Sequence, residues 1–136
     1  MKKIKIAKVK LKEITALQEF TSSYMSSLQE NIKPQMDLNY FQDILELDLA
    51  KELFLLFRKK IESDSHTFTL NLKPAHAVLL LYICTYTENE IIKELGKFLD
   101  DECEQQEQED TPHRFNLFVA MKFKNIIDQQ VKSLHY

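Results

Sequence analysis

The residues that could do chemistry in this chain are four histidines, two cysteines, a serine-rich stretch and one dense acidic run. His66, His76, His113 and His135 show no i, i+3 or i, i+4 pairing, and no HExxH stands among them. A structural zinc site wants clustered Cys and His at short spacing. Cys84 and Cys103 form no CxxC and fall on different expected elements. They read as two reduced thiols of a cytoplasmic protein. Cys84 sits in an apolar helical stretch, where burial makes a thiol inert. Cys103 lies among Asp101, Glu102 and Glu104, whose charges oppose a thiolate.

The acidic run, DDECEQQEQED from Asp100 to Asp110, holds seven carboxylates and no cation. Hard oxygen ligands of this kind suit calcium or magnesium. The run lacks the DxDxDG pattern, however, and at its spacings the carboxylates would spread around a helix. Cys103 falls four residues after Leu99 and continues an apolar stripe, so it reads as the last core-facing residue of its helix. Residues 100–112 then read as a fraying acidic helix end and a mobile loop, because carboxylates at a helix C-terminus oppose its dipole.

Nucleophilic and phosphate chemistry find no footing. The chain has one glycine, so neither a GxSxG elbow nor a glycine-rich phosphate loop can be built. His76, at the start of an expected helix, has no evident partner and reads as structural or surface. A small enzyme using scattered residues such as His76 and Glu90 is the weakest of three functional readings. No catalytic, cofactor-binding or metal-binding residues are assigned, and no cofactor is expected.

Charge distribution is the least ordinary feature. Net charge is −3, yet Lys2, Lys3, Lys5, Lys8, Lys10 and Lys12 put +6 on the first twelve residues, leaving −9 elsewhere. Lys3, Lys5, Lys8 and Lys10, with Asp100, Asp101, Glu104 and Glu107, are therefore the candidate partner-binding residues, since such polarity suits steered association. Opposite ends of two copies could pair, which would give a homodimer. Lysines on a strand could also neutralise phosphates, and a β-ribbon can enter a groove. Overall acidity, the scarcity of arginine (Arg58 and Arg114) and the lack of aromatics among the lysines weigh against nucleic acid. Lysine on a strand edge also has a plainer use, as a guard against edge-to-edge aggregation.

The elements that must position these residues follow from periodicity. At 136 residues and 44% hydrophobic content the chain suits one globular domain, 1–136. Few Gly and Pro favour long helices. Ile4 and Ile6 share one parity and Val9 the other, a strand with a bulge or an end near Ile6–Ala7. A helix follows from Leu11, with Ile14, Leu17, Phe20, Tyr24 and Leu28 inward, and stops before Pro34. Its serines, Ser22, Ser23, Ser26 and Ser27, read as a solvent strip or as a close helix approach.

A second helix spans Asp37–Ile61, with Leu38, Phe41, Leu45, Leu49, Leu53 and Leu56 as its stripe and Asp37 as its cap. Thr67–Leu72 alternates and reads as a second strand. Helix three runs from Ala75 to Tyr86. Thr87-Glu88-Asn89-Glu90 matches a capping box and starts helix four, with Ile91, Ile92, Leu95, Phe98 and Leu99 inward. Gly96 inside it predicts a close backbone approach. Thr111-Pro112 opens helix five, which buries Phe115, Val119, Phe123, Ile126, Ile127, Val131 and Leu134.

The expected fold is mainly α, a compact domain of about five helices with a short two-stranded β element. No run is long enough to span a membrane; the longest apolar one is Ala77–Cys84. The leading functional expectation is a non-enzymatic protein–protein interaction module: an adaptor, an immunity-type binder or a complex subunit with an unknown protein partner. The alternative is a nucleic-acid-associated regulator using the lysine-rich strand.

Overall fold

A computed structural model of the chain describes residues 3–32, 38–63, 65–100 and 110–132, with backbone alone for 97–100 and 110–112. The order is β1 (Ile4–Lys10), α1 (Leu11–Asn31), α2 (Leu38–Ile61), β2 (Thr67–Leu72), α3 (Pro74–Asp100) and α4 (Asp110–Lys132). The protein is mainly helical with a two-stranded antiparallel sheet.

Among the described residues the helices number four, not five, because α3 runs straight through Thr87. A helix cap needs non-helical backbone. Thr87 instead turns its hydroxyl back to the Ile83 carbonyl at 2.9 Å, as Thr85 does to Leu81. No proline interrupts the chain from Ala75 to Asp100. Ala77, Leu80, Ile83, Cys84 and Ile91 form one continuous inward face across the expected break.

The helices alternate in direction. Tyr24 of α1 bonds Glu46 of α2, and Glu52 of α2 bonds His76 of α3. On the α3–α4 seam, Glu88 meets Lys124 and Glu94 meets His113. Rising numbers on one helix thus meet falling numbers on the next, the signature of an up-down-up-down bundle. The sheet sits at the end where α1 and α3 begin. There Gln130, near the end of α4, donates to the Lys5 carbonyl at 3.0 Å.

β1 and β2 pair with Ile4 opposite Leu72 and Lys10 opposite Thr67, and the register shifts between Ile6 and Val9. The expected bulge is there. Lys8 takes φ 59°, the left-handed region. The extra residue restores inward parity, so Ile4, Ile6 and Val9 are all buried, as are Phe68, Leu70 and Leu72. These six join Ile14, Leu17, Leu53, Phe57, Leu80, Ile83, Val119, Phe123 and Ile127 in one core cluster. Each fully buried Leu, Ile or Phe stabilises the fold by about 1.5–3 kcal/mol.

Two inward faces differ from expectation. On α2 the core takes Leu47, Ala50, Leu53 and Phe57, while Leu38, Phe41 and Leu45 are 72%, 51% and 64% exposed. Apolar residues point in nearly every direction from this helix, so the tertiary contacts choose the face. On α4, Val119, Ala120, Phe123 and Ile127 are buried, whereas Phe115 is exposed. Nor does Gly96 mark a close approach: a methyl there would meet nothing within 4 Å. Ile92 is exposed as well. The expectations on Asp37, on the side chains of Phe98 and Leu99, on the Thr111–Pro112 cap, and on Leu134 fall outside the described residues.

Candidate interaction surfaces

Because β1 buries Ile4, Ile6 and Val9, Lys3, Lys5, Lys8 and Lys10 are left exposed on the protein's surface. The sheet register sets Asn71 beside Lys5 and Thr67 beside Lys10. Lys12, at the start of α1, and Lys73, just after β2, are exposed as well. Among the described residues, no carboxylate forms an ion pair with Lys3, Lys5, Lys8 or Lys10. The nearby acid, Glu13, is buried and engaged elsewhere. The four lysines expected from sequence therefore form one basic face.

The acidic candidates are not gathered in the same way. Asp101, Glu104 and Glu107 lie outside the described residues, as do Cys103 and the side chain of Asp100. The backbone of Asp100 closes α3, whose 27 residues begin beside the sheet. At 1.5 Å per residue, that helix carries Asp100 about 40 Å along the bundle from the sheet end. The basic face and the start of the acidic run thus stand at opposite ends of the molecule.

A third surface was not foreseen as one. Helical geometry puts Leu38, Phe41 and Leu45 within roughly 60° of one another, and roughly 140° from the core face of Leu47, Ala50, Leu53 and Phe57. Glu52 lies in the same sector and reaches α3, where its carboxylate stands 2.6 Å from His76 Nε2. The ring of Tyr40 meets that of Phe41 edge-on at 5.8 Å. On α3, Tyr82 is exposed and packs edge-on against Tyr24, whose hydroxyl donates to Glu46 at 2.7 Å. Burial and the Glu46 carboxylate push the Tyr24 phenol well above its ordinary range. The sequence signal was present, since Leu38, Phe41 and Leu45 are helix-periodic. Periodicity alone places it in the core.

No family model, curated protein or solved structure matches the chain.

The remaining chemical candidates are dispersed. His76 is buried, and its partner is Glu52, 24 residues away in sequence. Glu90 is 14 residues further along α3, about 21 Å by helical rise, so the two share no site. Glu90 instead lines an open cleft of about 310 Å³ with Glu19, Glu94 and His113. Among the described residues, no group of three or more His, Cys, Asp or Glu is placed to hold a metal ion.

Cys84 is fully buried, and desolvation pushes its thiol up to about 12. Ser22, Ser23 and Ser26 face solvent, while Ser27 accepts a bond from Tyr86 at 3.2 Å across the α1–α3 contact. No helix among the described residues is long and apolar enough to cross a membrane.

Proposed function

We propose that this protein is a non-enzymatic protein-binding module, an adaptor, immunity-type binder or complex subunit of the cytoplasm. One observation carries the reading: α2 holds two apolar stripes, one in the core and one, Leu38–Phe41–Leu45, on the surface. Amphipathic helix faces engage partners through anchors at i, i+3 and i+7. The spacing of these three residues is the same. Aromatic side chains are enriched where binding energy concentrates, and Phe41 supplies one. The charged ends of the bundle would steer the encounter rather than hold it.

The test is affinity capture from the source cell, with wild type and a Leu38→Ser/Phe41→Ser/Leu45→Ser variant compared side by side. A stoichiometric partner held by wild type and lost by the variant supports the reading. Sedimentation of the purified protein covers the case in which the partner is a second copy.

A further inference from the structure

The basic face carries an inference beyond protein binding. It stands at the sheet end, while the apolar stripe begins at Leu38, about 35 Å along α2 from that end. We infer that the lysine-studded face of the β1–β2 ribbon binds the phosphate backbone of duplex nucleic acid, without regard to sequence.

Composition alone weighed against such a partner, through overall acidity and few arginines. The fold changes that balance by separating the charges. Lys3, Lys5, Lys8 and Lys10 are exposed together, and alternate strand residues on one face stand about 6.7 Å apart. Lys12 and Lys73 flank them, and Lys59 and Lys60 close α2 at the same end of the bundle, where Arg58 is paired with Glu62.

Two features of this face favour phosphate over a protein partner. Among the described residues it lacks the large aromatic and apolar anchors that protein interfaces place at their centres. Its exposed neighbours on β2 are Thr67 and Asn71, and hydroxyl and amide side chains are regular phosphate contacts beside lysine. Here the register sets Thr67 and Asn71, not acids, opposite Lys10 and Lys5. The scale also fits, because a two-stranded β-ribbon is one of the elements that a major groove admits.

The experiment is fluorescence anisotropy of a short labelled DNA duplex titrated with the full chain. With four to six lysines engaged, log K should fall against log salt with a slope of roughly −4 to −5. Affinity should then drop by about two orders of magnitude or more between about 50 mM and about 200 mM salt.

The Lys3→Gln/Lys5→Gln/Lys8→Gln/Lys10→Gln variant should lose at least tenfold in affinity and flatten the slope by roughly one for each contact removed. Lys93→Gln, on α3, should bind as wild type does. Should the fourfold variant fail to fold, Lys5→Gln and Lys10→Gln singly should each weaken binding severalfold and reduce the slope.

Absence of salt-dependent duplex binding at micromolar protein overturns the inference, as does binding that none of these lysines affects. Phosphatidylserine vesicles and polyglutamate serve as competing polyanions. If either binds as tightly as the duplex through the same lysines, the face is not a nucleic-acid surface. Loss of duplex binding leaves the Leu38–Phe41–Leu45 reading standing, because the two sets of residues do not overlap.

Discussion

Glu13 and Lys122 are 109 residues apart in sequence, yet Lys122 Nζ donates to Glu13 Oε2 at 2.6 Å. The other oxygen of the same carboxylate accepts the Lys10 N–H at 3.0 Å, at the junction of β1 and α1. One buried side chain thus ties the strand–helix turn to α4. Breaking a fully buried pair costs about 3–5 kcal/mol, and an exposed one under about 1 kcal/mol. Glu13 is buried but Lys122 can still reach water, so Glu13→Ala should destabilise by about 2–3 kcal/mol. Lys132→Ala, which opens the exposed Lys132–Asp128 pair, should cost no more than about 0.5 kcal/mol. Urea midpoints measure both. Equal losses would show that Glu13 holds nothing together.

Gly96 lies inside α3 with open space where a Cβ would go. Interior glycine costs a helix roughly 0.5–1 kcal/mol against alanine. Gly96→Ala should therefore raise the unfolding free energy by that amount, read as a higher urea midpoint. A lower midpoint would mean that the space is taken by something that the isolated fold does not contain.

Lys8 sits at the β1 bulge with φ 59°. An L side chain in that region costs roughly 1–2 kcal/mol, which glycine avoids at some entropic expense. Lys8→Gly should leave stability unchanged or raise it by up to about 1 kcal/mol, while Lys10→Gly, in extended backbone, should lower it. The comparison separates backbone relief from loss of a charge, since both variants remove one lysine.

Burial holds the Cys84 thiol protonated to about 12 in the folded chain, against 9.0 when solvated. An acid whose folded pKa is raised adds stability that is complete below the unfolded pKa and lost as pH climbs above it. Between pH 9 and about 12 this thiol should therefore lower stability progressively as pH rises, because the unfolded chain ionises first. Tyr24, raised in the same direction, adds to the decline above pH 10. The slope of the urea midpoint against pH should thus be shallower in Cys84→Ala than in wild type above pH 9, and equal below it. Iodoacetamide at neutral pH should label Cys84 only after unfolding.

Local rules made much of this fold legible. The period-two pattern of Phe68, Leu70 and Leu72 and the parity change after Ile6 are properties of a few adjacent residues. The structure has both strands and the bulge. Ile14, Leu17, Phe20 and Tyr24 lie on the buried face that their spacing predicts. What sequence could not settle was non-local. Thr87-Glu88-Asn89-Glu90 satisfies a cap pattern, but only the continuous seam with α4 decides that the helix does not stop there. The partners of Glu13 and His76 come from other helices.

The candidate site was legible in half. Lys3, Lys5, Lys8 and Lys10 were readable as a set from their charge density; strict alternation would split Lys3 and Lys5 from Lys8 and Lys10, and the bulge brings them to one side. The Leu38–Phe41–Leu45 stripe was not. Apolar residues ring α2 from Leu38 to Phe57, so periodicity offers two faces and burial against α1 and α3 selects one. A surface stripe and a core stripe look alike until the core is known.

That stripe is therefore where the functional reading is most exposed to test. Wild type and Leu38→Ser/Phe41→Ser/Leu45→Ser should unfold at nearly the same temperature, because none of the three side chains is in the core. Capture from the source cell at matched expression should then recover one partner in stoichiometric amount with wild type and lose it with the variant. If the variant retains the same partner, or if wild type is recovered alone and sediments as a monomer, α2 is not a binding face.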